Sequence, residues 1–531
     1  MTEQAAPMHI GFASIYSWRP HVEHLYFLAT LAREAGQHCF FLTCDGDLPT
    51  CYTREIRDTR PGWQECLACR LGGVRSFTGE DVSSIGKLQG ADDGLADAFE
   101  WSRSSASTLG RFESDADFAS PAYTELVNRL EPATRKTYMA AREWIRREKL
   151  DALCVFNGRM DATRAIIEAA RDAGIHYVSL ERTWLGDGLQ LLPDESCLGL
   201  RSIDSMVGAW RDRPLRTEQA SIAASYAAAR FMRRNQKEWR AYNIQAQAVA
   251  WPAAEGKRRL LLLPSSRNEV WGHADWRSQW SEPTAAYDAI IDRLGLQPSD
   301  LVLRCHPNWG EKIGKSDGHM PERYYTEWAT RRGIHVIQST STSSTLGLIE
   351  QCDAIVVAGG TAALEAGILG KQIILTDPAM YQEAGLSTNV LSPQHLDRLA
   401  LTVTLDAATQ QVVARDVARR TLRFCYTMAR RAAQYARFVK ARSAAHYDYI
   451  AGADPQRFID LLRTGELLAD DDTCADDAGE EDAVLAAIDA RDWSRLFVRP
   501  ADESLARRPI HRRLPFRPLD RIRDLMPVGD R

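Results

Sequence analysis

Two hydrophobic periods alternate along the chain. HIGFASI (9–15) is apolar almost throughout and predicts a buried strand. PHVEHLYFLATLAREAG (20–36) places its apolar residues at helical spacing and closes on glycine, and HCFFLTC (38–44) predicts the next strand. The rhythm returns in DALCVFNG (151–158), MDATRAIIEAARDAG (160–174) and HYVSLER (176–182). Between these blocks lie a stretch rich in Gly, Ser and Asp (76–119) and a long helical pattern (123–147). A helical span, 217–243, leads through WPAAEGK into RRLLLLPSS, DLVLRCHPN, IHVIQS, DAIVVAGG and KQIILT. Short Val/Ile/Leu-rich strands separated by helical patterns predict a parallel sheet covered on both faces.

The fold class is therefore α/β with two Rossmann-like domains: 1–250, carrying a four-cysteine insert, and 251–450. Within the second, 406–451 reads as helical and Arg-rich. The remainder, 451–531, reads as helical and acidic and then as an Arg-rich tail. LADDDTCADDAGEEDA (468–483) is expected to be solvated, and the tail from Arg507 to be solvated or packed across the other domain, with attachment to a membrane surface as the alternative.

Composition removes other classes. The chain has 531 residues, 45% apolar and 26% charged, enough to bury substantial cores. A net charge of -5 gives no basic field for nucleic acid, and no apolar run reaches the roughly 18 residues that span a bilayer. The polar start MTEQAAPMHIGF is unlike a signal peptide, so a cytoplasmic location is expected, with peripheral contact at the inner membrane left open, and the eleven cysteines should stay mostly reduced.

Open parallel sheets bind ligands beyond the carboxyl ends of their strands. Three such ends in the second domain are rich in donors: Ser265, Ser266 and Arg267; Arg304, His306 and Pro307; and Gly359, Gly360 and Thr361, with Glu365 one turn on. Glycines let an anion approach the backbone, and hydroxyl, imidazole and guanidinium groups can hold it. One tight turn is weak evidence; three convergent polar strand ends favour a phosphate-bearing ligand.

These residues also carry a resemblance. The Arg304-x-His306-Pro307 element and GGTAALEAGILGKQIIL (359–375) resemble the donor half of GT-B glycosyltransferases of capsule and lipopolysaccharide assembly, most closely the capsule polysaccharide biosynthesis proteins, which include Kdo and sialic acid transferases using CMP-sugars. IYSWRPHVEHLYFLATLAREAG (15–36) and FNGRMDATRAIIEAARDAGIHYVSLERTWLGDG (156–188) are similar to the first half of the same proteins, and the likeness covers most of 8–450. It implies two domains facing across a cleft and sugar transfer from a nucleotide-sugar to a glycan or glycolipid without a catalytic metal. It also places His306, Gly360 and Thr361 on the donor phosphates and Asn157, Arg159 and Arg182 on the acceptor side. The sequence departs from the pattern of two glutamates eight positions apart, since Val357 and Ile373 flank Glu365 at that spacing, which leaves the base of the nucleotide open.

An acceptor hydroxyl needs a general base from the facing domain. Asp161, Glu181, His21 and Glu23 lie at the first domain's strand ends, although Glu23 and Asp161 fit equally as helix N-terminal charges and Arg159 and Arg182 as simple ion partners. Two other readings compete: a metal-dependent transferase using Asp45-Gly46-Asp47 or Asp115-Ala116-Asp117, and a non-catalytic GT-B-like binding or scaffold protein. Cys44, Cys51, Cys66 and Cys69 have a two-plus-two layout whose CxxC pair suits structural zinc; disulfides are disfavoured by compartment, and the spacing does not suit an iron–sulfur cluster.

Overall fold

The computed structural model describes residues 6–57, 61–90, 97–238, 241–252, 257–312, 316–497 and 506–518. Parts of the expected 76–119 stretch, of the 251–257 linker and of the tail lie outside them.

Nine predicted strands form where the apolar runs put them: β1 (His9–Ser14), β2 (His38–Thr43), β4 (Ala152–Phe156), β5 (His176–Arg182), β7 (Leu260–Leu263), β8 (Leu301–Arg304), β9 (His335–Ile337), β10 (Ala354–Val357) and β11 (Gln372–Leu375). Four more complete the sheets: β3 (Val82–Ser84), β6 (Leu189–Pro193), β12 (Thr388–Asn389) and β13 (Ala433–Gln434). The first sheet has the order β13-β6-β5-β4-β1-β2-β3, parallel from β3 to β5 and antiparallel at β6 and β13. The second, β12-β11-β10-β7-β8-β9, is parallel throughout. The fold is α/β, as expected.

Both faces of each sheet are buried. Successive side chains point to opposite sides, so Ile10 and Phe12 join one core while Ala13 and Ile15 join another, and Leu260 and Leu262 oppose Leu261 and Leu263. This is why the strands read as continuous apolar runs. The helices His21–Glu34 and Pro455–Thr464 cover one face of the first sheet, where Phe12 and Phe458 meet at 6.1 Å.

Three expectations change. The helix beginning at 217 ends at Phe231. The 406–451 segment is helical only through Ala407–Tyr426 and a π turn, Thr427–Arg431; it then pairs with β6 and forms a hairpin, Val439–Ala441 with Tyr447–Tyr449. The alternation that buries Val439, Ala441 and Tyr449 outweighs the helical look of its arginines. The acidic 468–483 segment is solvated only in part: Asp472, Asp476, Asp477, Glu480 and Asp482 are exposed, but Glu481 is fully buried, ion-paired with Arg423 (2.8 and 2.9 Å) and Arg419 (3.0 Å), and accepts from the Leu215 amide (2.8 Å).

Tail residues 506–518 lie across the first half. Arg508 pairs with Glu34 at 2.5 Å and Arg513 N–H donates to the Ser76 carbonyl at 2.8 Å.

Candidate active site between the two sheets

Each sheet reverses its strand order once, between β1 and β4 in the first and between β7 and β10 in the second. Such switch points leave a crevice beyond the strand ends. Here both open onto one cavity of about 920 Å³, lined by Asn157 and Arg159 from the first sheet and by Ser265, His306, Gly359, Gly360, Thr361 and Asp377 from the second.

On the first side the chain turns sharply after β4. Asn157 has φ 65° and Gly158 φ 72°; a Cβ on Gly158 would sit 2.1 Å from Ile167. The turn aims Arg159 into the cavity. Its guanidinium donates to the Ser104 and Thr108 hydroxyls, both at 3.0 Å, and has no carboxylate partner among the described residues. Behind Asn157, its side-chain amide donates to Glu181 (3.1 Å), and Glu181 meets His21 Nε2 at 2.6 Å. Burial would raise the Glu181 carboxyl, but His21 and Arg182 outweigh it and hold it at about 2.

The four expected bases lie off the cavity wall. Asp161 is fully buried, bonded to Ser105 (3.0 Å) and Tyr16 (3.2 Å); burial lifts it to about 6 against those hydrogen bonds. Glu23 is ion-paired with Arg19, and His21 and Glu181 sit one layer behind Asn157. Arg182 donates to the Ala444 carbonyl at 3.2 Å.

On the second side, a tight approach links two strand ends. Ser265 Oγ is 3.3 Å from where a Gly360 Cβ would stand, and Gly359 has φ 90° with the Pro378 carbonyl equally close to its missing Cβ. The backbone is thus bare at the turn into the helix Ala362–Ile368. His306 turns Nδ1 onto Asn308 Oδ1 at 2.7 Å.

His306, Ser265, Gly360 and Thr361 also wall a second cavity of about 500 Å³, between the strand ends of the second sheet and Arg230, Glu238 and Tyr242. Its far side is a row of hydroxyls, Ser339 to Ser343, braced by the buried Arg304, which donates to the Gln338 (2.5 Å) and Ser341 (3.1 Å) carbonyls. Glu365 lines it too, with Oε1 on Arg230 at 2.8 Å and Oε2 buried without a partner among the described residues.

Arg267 and Ser266 have other duties. Arg267 pairs with Asp115 (2.6 Å) and lies over the rings of Phe118 and Trp271, while Ser266 Oγ accepts from Trp309 Nε1 at 2.8 Å. Arg267 belongs to a loop, 265–277, laced to the first half on both sides. Ser107 and Thr108 donate to the Asn268 carbonyl, both at 3.1 Å, and the fully buried Glu113 accepts from Tyr325 OH (3.1 Å) and from the Arg267 amide. Opposite, Ser196 meets His273 at 3.0 Å and the Trp276 indole donates to the Leu198 carbonyl at 2.7 Å. Burial and neighbouring arginines keep His273 at about 4 despite Asp275, so it is neutral near pH 7.

The residue pattern left several lining groups unmarked: His273, Trp276, Asp377, Glu269 and the Ser339–Ser343 row. The hydroxyl run follows β9 directly, and the strand-end rule that picked out His306 would have found it.

The four cysteines come together around the helices Tyr52–Arg57 and Gly62–Gly72, all as free thiols. Burial raises Cys44, Cys51 and Cys69, with neighbouring thiols adding to it; Cys51 reaches about 12. Among the described residues no group of three or more His, Cys, Asp or Glu side chains is arranged to hold a metal ion. No helix there is long and apolar enough to cross a membrane.

No protein-family model matches the chain, and no curated protein does. Among solved structures, the KpsC beta Kdo 2,4 transferase of Thermosulfurimonas dismutans is similar at 15% identity over 60% of this chain and 84% of that one, with a TM-score of 0.33. The beta Kdo 2,7 transferase of the same KpsC gives 10% identity, 62% and 89% coverage and a TM-score of 0.31. The Methanocaldococcus jannaschii UDP-GlcNAc 2-epimerase in complex with UDP-GlcNAc and UDP gives 11%, 86% and 100%, and 0.29. At these values none of them carries a substrate or a reaction over to this chain.

Proposed function

We propose that this protein is a glycosyltransferase that moves a sugar from a nucleotide-sugar, a CMP-sugar in the favoured case, to a growing capsule or lipopolysaccharide glycan. The observation that carries the reading is the two-lobed site: a 500 Å³ lobe beside the second sheet and a 920 Å³ lobe between the two sheets, sharing His306, Ser265 and the bare Gly360-Thr361 turn as a common rim.

A nucleoside fits the smaller lobe, where Ser339–Ser343 offer hydroxyls and Glu365 Oε2 offers an acceptor for a ribose hydroxyl. The phosphate then lies on the rim, held by Ser265, His306 and backbone N–H groups, and the sugar projects into the larger lobe. As the glycosidic phosphate leaves, the rim donors stabilise the charge it gathers. The acceptor enters past Asn157 and Arg159. Glu269, exposed to the larger lobe and anchored by Asn308 at 3.2 Å, is placed to take its proton, in preference to the buried Asp161 and Glu181.

A non-catalytic binding protein is the second reading, favoured by one observation: the cleft-lining loop 265–277 is tied to both halves. Turnover separates the two. CMP-Kdo, CMP-sialic acid and UDP-GlcNAc are each incubated with protein and a deacylated lipopolysaccharide acceptor, and nucleotide release is followed by chromatography. Acceptor-dependent release of CMP supports transfer; binding without release from any donor supports the scaffold.

A further inference from the structure

An amphipathic helix normally turns its apolar stripe inward. The helix Gly62–Gly72 does the reverse. Its buried side chain is Glu65, 3% exposed and paired with Arg57 at 3.2 Å, while Trp63, Leu67 and Leu71, spaced four apart, are 67%, 50% and 37% exposed. Cys69 faces inward, 3.8 Å from the Ile15 carbonyl.

The Arg-rich tail arrives at the same place. Arg512 donates to the Leu71 carbonyl at 3.3 Å and Arg513 to the Thr78 carbonyl at 3.3 Å; Leu514, next along, is 73% exposed. Arg70, Arg513 and Arg517 are exposed around these side chains. In sequence, 507–531 holds eight Arg against three Asp, a surplus of five positive charges in a chain whose net charge is -5.

We propose that this face docks on an anionic lipid bilayer. Three leucines and a tryptophan suit the boundary between headgroups and acyl chains, and the surrounding arginines complement anionic headgroups. A polar glycan would leave the leucines unsatisfied. The helix packs over the loop that follows β1, at the end of the first sheet from which Asn157 and Arg159 enter the cleft, so a bilayer here would present a lipid-linked acceptor to the site. That last consequence rests on the proposed transferase activity; the docking does not.

The test is flotation of the full chain with vesicles of phosphatidylglycerol and phosphatidylcholine in equal parts, against phosphatidylcholine alone. Co-flotation with the anionic vesicles alone is expected, weakened about tenfold or more by Leu67→Glu and by the pair Arg513→Gln and Arg517→Gln, and weakened by added salt. Should Leu67→Glu fail to fold, the tail pair, which removes charge without touching the core, decides. The proposal is overturned if the chain does not float with anionic vesicles, if folded variants float as well as the parent, or if sedimentation shows a dimer that Leu67→Glu dissolves. Because flotation is read without any donor, failure of the transferase reading would leave this result standing.

Discussion

Replacing Glu113 with Gln should flatten the pH dependence of stability between pH 6 and 8. The carboxyl is fully buried where the first half grips Arg267 and Tyr325, and burial lifts it from 4.5 to about 8 against the hydrogen bonds it accepts. Below pH 4.5 it is protonated in both folded and unfolded chains. Above that, the unfolded chain gives up its proton first, so the folded state binds more protons and stability falls with rising pH until the folded carboxyl ionises as well. Each unit in that window costs about 1.4 kcal/mol, and the carboxyl is half ionised by its own pKa, so the fall from pH 6 to 8 is about 2 kcal/mol. Gln keeps an acceptor for the Tyr325 hydroxyl and the Arg267 amide but cannot ionise. Urea unfolding of both proteins at pH 6 and pH 8 gives the difference directly. Parallel pH dependence would refute the idea that Glu113 is a buried, protonated clasp between the halves.

Other outcomes follow from the site. His306→Ala should weaken nucleotide binding by roughly tenfold or more in calorimetry without lowering the melting temperature, since the side chain stands between two cavities rather than in a core; unchanged affinity would remove it from the rim. Glu269→Gln should cut turnover by about a hundredfold with binding retained, whereas Asp161→Asn should act on stability, through Ser105 and Tyr16; equal turnover in Glu269→Gln and the parent would return the search for a base to Glu181 and His21. The cysteines give opposed outcomes: structural zinc would appear as about one equivalent of metal in protein purified without chelator, whereas unligated thiols held up by burial, as Cys44, Cys51 and Cys69 are, would react slowly with iodoacetamide and bring no stoichiometric metal with them.

Much of the scaffold was legible because parallel strands buried on both faces leave an unbroken apolar signature. LLLL at 260–263 and AIVV at 354–357 could hardly be anything else, and the rule that ligands sit beyond strand ends led from them to His306 and Gly360. What was illegible depends on partners distant in sequence. β3 and β13 are two or three residues long and exist only because a neighbouring strand offers an unpaired edge. Glu481 looked solvated because its arginines lie some sixty residues earlier. Asp161 and Arg267 looked like site chemistry because strand-end position is visible in sequence, but Ser105, Tyr16, Glu113 and Asp115, which occupy them, come from elsewhere in the chain. Residue type and position therefore located the cleft better than they assigned its members.

Calorimetric titration of CMP against cytidine, with UMP and uridine as the parallel pair, decides whether the shared rim holds a nucleotide phosphate. One monophosphate is expected to bind, and its nucleoside at least tenfold more weakly, about the loss expected when charge-assisted hydrogen bonds are removed. Equal affinity for nucleotide and nucleoside, or no binding by either pair, would contradict that role of the rim.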